Sequence, residues 1–378
     1  MGIYLNPSNE GFRETLNTEI YVDKSALIGY TNRMIGTRRK YICVSRPRRF
    51  GKTITAEMLT AYYCKAYDSH ELFEKLNIAQ SDSFDRYINK YSVLFLNMQT
   101  FLSRAKEPSK MTAYMEKKVV SEVCEKYAIK NDDLMLSEIL EKINSETGEQ
   151  FVIIIDEWDC IFREYPDNMA EQKAYLDFMR ELLKDKAYVA LVYMTGILPI
   201  KKYGTHSALN MFDEFSMTDM GELAPYTGFT TEEVQELSDR FNVDYSEMER
   251  WYNGYLIEDR HIYNPKSVVD ALTKRRFGNY WTKTETYEAL KYYIDLNIDG
   301  LKEDIIKLLS GEKIKINSLK FPNDMRTFRS KDDIFTLLVH LGYLSFERAT
   351  EKVFIPNEEI KAEFAVAVEG QNNKFLKS

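Results

Sequence analysis

Tyr41–Leu59, YICVSRPRRFGKTITAEML, is the stretch from which the fold can be read. Tyr41, Ile42, Cys43 and Val44 make an apolar, partly β-branched run, the pattern of a short buried strand. Arg46 to Gly51 follows as a loop, and Lys52 and Thr53 open a helix in which Ile54, Met58 and Leu59 recur at helical spacing. Strand, loop, Gly-Lys-Thr and helix, in that order, build a phosphate-binding loop, because a helix N-terminus offers free N–H groups and positive partial charge to an anion. On this reading Arg46, Pro47, Arg48, Arg49, Phe50, Gly51, Lys52, Thr53 and Ile54 line a nucleotide. Lys52 reaches its β- and γ-phosphates, and the Thr53 hydroxyl holds Mg2+. The full motif wants a glycine where this chain has Arg46, and Pro47 pushes Arg46 towards extended dihedrals. The loop should therefore leave its strand without a glycine turn. A basic surface turn ahead of a helix is the alternative reading of the same string.

Phe151–Asp159, FVIIIDEWD, supplies the other half of such a site. Its apolar run suits a parallel strand covered on both faces, and its acids stand where open α/β sheets bind ligands. Asp156 is then the residue for the Mg2+ shell, and Glu157 the one that orients and activates an attacking water. The alternative is a strand ending in solvated acids. Ala187–Ile197, AYVALVYMTGI, is a further buried strand, expected between the other two in the sheet, with Thr195 at its tip. There the Thr195 hydroxyl either touches the γ-phosphate or its water, or caps its own turn. A short strand at Glu214–Met217 should close the sheet beside the Tyr41 strand. Arg48 and Arg49 exceed what a loop of backbone donors needs. Either one stabilises γ-phosphate charge in cis as an arginine finger, or both are solvated or pair with acids such as Glu157 or Asp159.

The remaining features bound the class. A chain of 378 residues suggests two or three domains, and 44% hydrophobic residues suffice for their cores. A net charge of −8 gives no overall attraction to nucleic acid or membrane. No apolar run nears the ~20 residues that span a bilayer, and no secretory signal opens the chain. Cys43, Cys64, Cys124 and Cys160 form no Cys-x-x-Cys pair and read as buried thiols of a reducing cytoplasm, while four scattered histidines suggest no zinc site.

Along the chain, Glu19–Leu27 enters a helix with Asp23 as its N-cap, and Ser109 to Ile143 is helical with a break near Asn131. After Pro225, Thr230-x-x-Glu233 is a capping box, and the pattern to about Asn297 is helical and rich in Tyr and Trp. Trp251, Tyr252, Tyr255 and Trp281 read as core. A helix up to His340, a break at Gly342 and two short strands follow, an arrangement that suggests a winged helix. Its hairpin carries Glu347 and Glu351 as well as Arg348 and Lys352, so nucleic-acid binding is only weakly indicated. The expected divisions are 1–225, 226–300, 301–360 and a polar tail over 361–378, which should fray from Glu363.

RPRRFGKT, IIIDEWD, MTGI, GFTTEEV, WYNGY, IYNPKSVV and FGNYW together resemble the bacterial AAA-ATPase-like family, P-loop ATPases related to archaeal and signalling (STAND) ATPases. The resemblance runs from Gly11 to about Phe364. It implies an α/β P-loop NTPase sheet of the AAA/ASCE type flanked by helices, followed by a helical lid and a winged-helix-like domain. It also implies ATP and Mg2+ as ligands, an arginine where Arg46 stands, and an N-terminal segment, here with Tyr21 and Asp23, beside the adenine. Many relatives continue into a PD-(D/E)XK nuclease domain. The residues past the winged helix are too few for one, and Glu359-Ile360-Lys361 lies in a helical pattern. The expected function is a slow, Mg-dependent ATPase acting as a conformational switch with a protein partner, in the cytoplasm and off the membrane. A non-catalytic nucleotide- or DNA-binding scaffold is the alternative.

Overall fold

The continuous apolar runs become the centre of one sheet. Tyr41–Ser45 (β1), Ser92–Asn97 (β2), Phe151–Asp156 (β3), Val189–Gly196 (β4) and Asp213–Phe215 (β5) lie in the order β2-β3-β4-β1-β5. β1, β3 and β4 are buried at every residue, which is why their sequences do not alternate. β2 pairs with β3, β3 with β4, and β4 with β1, each in parallel. The AYVALVYMTGI strand thus lies between the other two, and the short fifth strand flanks β1, giving the α/β P-loop sheet that the sequence implied. This computed structural model describes residues 2–130, 134–200, 202–203, 206–207, 209–281, 286–323, 325–326 and 328–375.

The described chain divides into two compact units. The first comprises 1–45 and 52–214, with the sheet and its helices Lys52–Tyr63, Met111–Tyr127, Leu136–Thr147 and Met169–Leu183. Burial of Met58, Leu59, Tyr62 and Tyr63 seats Lys52–Tyr63 in the core of that unit. The second comprises 46–51 and 215–378. In it the Thr230 hydroxyl accepts from the Glu233 N–H while the Glu233 carboxylate accepts from the Thr230 N–H, the capping box read from the sequence. Lys331–Leu341 ends at Gly342 (φ 88°), and Ser345–Glu347 pairs with Lys352–Phe354. Tyr252, Tyr255 and Trp281 are buried, and Trp251 is half-buried.

Four local expectations are corrected. Asp23 does not cap its helix; Ser25 stands at the N-cap of Ala26–Met34. The Asp23 carboxylate instead takes the N–H groups of Ser25 (2.7 Å) and Asn77 (2.6 Å), tying two segments together. Ile54 leaves the apolar stripe of its helix and is 45% exposed. The stretch around Tyr255 is not helical: Tyr255–Ile257 and Arg260–Tyr263 form a hairpin joined to Phe229–Thr230. Glu258 (φ 47°) and Asp259 (φ 60°) make its left-handed two-residue turn. The tail does not fray at Glu363, because Glu358–Phe375 is one helix that buries Ile360, Phe364 and Ala367. The expected break near Asn131 lies outside the described residues, between Tyr127 and Leu136 where the two helices end and begin.

Candidate active site

Sheet register assembles the site of the first unit. Asn97 is level with Asp156, Asp156 with Thr195, and Thr195 with Val44, so Asn97, Asp156 and Thr195 form one polar row at the C-terminal ends of β2, β3 and β4, level with Val44 of β1. Lys52 and Thr53, from the first turn of the helix that follows β1, join this row. The Thr53 hydroxyl donates to Asp156 Oδ2 at 2.9 Å, and the Asn97 amide donates to the same oxygen at 3.3 Å. Asp156 Oδ1 accepts the Glu157 N–H at 3.0 Å. Burial, with Glu157 adding to it, pushes the Asp156 carboxyl up to about 6 against the opposing pull of Thr53 and Lys52. Hydroxyl and carboxylate oxygens in contact are the donor set of a hard divalent cation, so Thr53 and Asp156 fit Mg2+.

Lys52 is 5% exposed, and burial lowers its ammonium while Glu157, Asp159 and Asp156 resist that fall. Its Nζ stands 3.9 Å from Glu157 Oε1. Glu157 leaves the strand in a left-handed conformation (φ 54°), so its side chain does not follow the alternation of β3. Thr195 is fully buried, and its hydroxyl donates to the Val44 carbonyl across the sheet (3.0 Å) rather than to its own turn. Gly196 admits no side chain: a Cβ would come within 2.7 Å of Trp158 and Asp159.

The loop itself belongs to the second unit. Arg46 is buried and donates to the Tyr226 carbonyl at 3.0 Å. Pro47 abuts Gly342, where a Cβ would meet it at 2.8 Å. The Phe50 ring packs edge-on to Tyr255, and Trp281 Nε1 donates to the Arg48 carbonyl. Arg48 is exposed and Arg49 half-buried. The left-handed residues of the loop are Arg49 (φ 69°) and Gly51 (φ 78°), not Arg46, so no glycine is required there. Tyr21, in the first unit, sets its ring edge-on to Phe12.

Three residues of the first-unit site escaped the sequence reading. Arg163, on Cys160–Glu164, places Nη2 2.5 Å from Glu157 Oε2 and Nε 3.2 Å from Asp159 Oδ2. Burial acts to lower its guanidinium, but Asp159 and Glu157 outweigh that and hold it above its usual range. The helical spacing from Asp159 to Arg163 was the available signal. Asn97 ends β2 as a lone polar residue after an apolar run, which in sequence marks no motif. Glu57 follows Thr53 by one helical turn, and burial, then Asp156 and Glu14, raise its carboxyl.

The family described as "Predicted AAA-ATPase" matches residues 10–205. An uncharacterised protein of the vnfD 5′ region of Azotobacter chroococcum is 24% identical over 276 residues, 70% of this chain and 51% of that protein. The chain thus spans about half the length of that curated relative. Among solved structures it resembles ORC2 of Aeropyrum pernix in ADPNP–ADP complexes (13% identity, 95% and 98% of the two chains, TM-score 0.40). ORC1 of Aeropyrum pernix in complex with DNA also matches (13% identity, 97% of each chain, TM-score 0.31).

Proposed function

The chain belongs to the AAA-ATPase-like family, and from that premise we propose that it binds ATP with Mg2+ and hydrolyses it slowly, as a conformational switch. The observation that carries the reading is the contact of the Thr53 hydroxyl with Asp156, beside the lysine–glutamate pair of Lys52 and Glu157. Lys52 takes the β- and γ-phosphates, exchanging its carboxylate neighbour for phosphate oxygens. Thr53 and Asp156 hold Mg2+, which neutralises charge on the transferring phosphate. Glu157 orients a water and accepts its proton. Thr195 fixes the tips of β1 and β4 through Val44. Residues 46–54 line the phosphates, with Arg48 or Arg49 able to supply γ-phosphate charge stabilisation, and Tyr21 and Asp23 lie on the adenine side. The output is a rearrangement of the second unit, whose members include the loop residues 46–51 and the helix-and-hairpin element after Leu301 that we read as a winged helix.

Lys52→Ala removes the cation that the motif fixes on the phosphates. ATP affinity should fall by ~2–3 kcal/mol, the scale of a charge-assisted contact. Unchanged affinity in calorimetry would end the P-loop reading, and tight ATP binding without turnover by the wild type would favour the non-catalytic scaffold.

A further inference from the structure

We propose that Arg163 is the positioning residue for Glu157: it holds one carboxylate oxygen so that the other faces Lys52. The inference rests on the hydrolytic reading of Glu157. The two oxygens of Glu157 are divided, with Oε2 against Arg163 Nη2 (2.5 Å) and Oε1 towards Lys52 Nζ (3.9 Å). The oxygen left for chemistry is therefore the one on the lysine side, where the phosphates belong. Such a division needs a rigid donor, and Arg163 is one. It is 8% exposed, and its Nε faces Asp159 Oδ2 at 3.2 Å. Asp159 is fully buried, and the same Oδ2 accepts the N–H groups of Ile197 (3.0 Å) and Leu198 (2.8 Å), just beyond β4. A chain of contacts thus runs from the end of β4 through Asp159 and Arg163 to Glu157. Glu157 needs this support because its left-handed backbone takes it out of the strand and its side chain is 22% exposed. A guanidinium meets both acids at once, donating to Glu157 through Nη2 and standing within ion-pair range of Asp159 through Nε.

The test is Arg163→Lys, alone and with Glu157→Gln. Lysine keeps a positive charge one helical turn from Asp159 but has one nitrogen in place of Nε and Nη2. Turnover at saturating ATP should fall by ~10–100-fold, the effect of a misplaced catalytic group, with KM within about twofold. The double variant should be no slower than Glu157→Gln. In the nucleotide-free chain, the shifts in thermal midpoint of the two single variants should fail to add, since both remove one contact. Wild-type turnover in Arg163→Lys beside a slow Glu157→Gln overturns the inference, as does a double variant slowed by both factors. If Glu157→Gln itself hydrolyses ATP at the wild-type rate, the hydrolytic reading fails instead. Additive midpoint shifts would then remove the coupling between Arg163 and Glu157 as well.

Discussion

Asp156 in the first unit and Glu359 in the second are both carboxylates almost wholly out of solvent, 0% and 1% exposed. Their acidities do not tell them apart. Burial is the main cause in both, raising Asp156 to about 6 and Glu359 to about 7. Their neighbours do. Glu359 Oε1 accepts the backbone N–H groups of Tyr280 (2.7 Å) and Trp281 (3.0 Å), and Oε2 accepts the Ser267 hydroxyl (2.8 Å). Its partners are mostly backbone of the same unit, so the fold itself supplies what the acid needs. Asp156 accepts one backbone N–H, that of Glu157, and otherwise meets the side chains of Thr53 and Asn97, while Glu157 and Glu57 add negative charge beside it. That arrangement is costly for a nucleotide-free chain and suited to a cation. A buried acid therefore becomes a site candidate through what surrounds it, more than through how far its acidity has moved.

Substituting the two acids should separate them most clearly. Asp156→Asn should lower Mg-supported ATP hydrolysis by ~10²-fold or more, the scale of losing one preorganised electrostatic contact. The same change should stabilise the nucleotide-free chain at pH 8 by about 1–2 kcal/mol, because the ionised form no longer has to be buried. Steady-state turnover and urea denaturation read the two effects. An Asp156→Asn chain that is less stable than wild type at pH 8 would make Asp156 a structural acid like Glu359.

Glu359→Ala should do the opposite. It leaves the Tyr280 and Trp281 N–H groups and the Ser267 hydroxyl buried without their acceptor, at a cost of about 2–4 kcal/mol. Glu359→Gln, which keeps an oxygen for the two N–H groups, should recover most of that loss. Denaturation midpoints of the three proteins decide it, and equal midpoints for Ala and Gln would show that the contacts contribute nothing.

What the sequence disclosed follows the same division between local and distant partners. β1, β3 and β4 were legible because strands buried on both faces cannot avoid continuous apolar runs, and Gly-Lys-Thr and Asp-Glu mark their ends. Lys52, Thr53, Asp156 and Glu157 are brought together as that reading requires. Asn97 was missed because only sheet register sets it beside Asp156. Arg163 was missed because a helical spacing from Asp159 marks no strand end or motif, and only the fold sets its guanidinium beside Glu157. The Tyr255–Tyr263 hairpin was hidden because Glu258-Asp259 makes a turn usually marked by Asn-Gly or Asp-Gly.

The smallest effect is the pH dependence, and it tests whether both acids titrate as described. Each folded value, about 6 for Asp156 and about 7 for Glu359, lies above its ordinary 3.8 or 4.5. Between those limits the folded chain binds protons that the unfolded chain does not. Their contribution to stability is therefore complete below about pH 4 and is lost as pH rises through about 6 for Asp156 and about 7 for Glu359. Glu57, raised for similar reasons, acts in the same direction. Glu149, Asp270 and Asp304 are held low, so their contributions fade only in more acidic solution. Nucleotide-free stability should accordingly fall from pH 5.5 to pH 8, by at most about 1.4 kcal/mol per pH unit for each proton of difference. Glu359→Gln should flatten the upper part of that slope and Asp156→Asn the lower part. ATP with Mg2+, which requires ionised Asp156, should stabilise the wild type more at pH 8 than at pH 5.5 and leave the Glu359 portion in place. Urea denaturation of the three proteins across this range measures each slope. A slope unchanged by Asp156→Asn would mean that Asp156 already carries its charge in the folded chain at pH 5.5, and the cost assigned to its burial would be withdrawn.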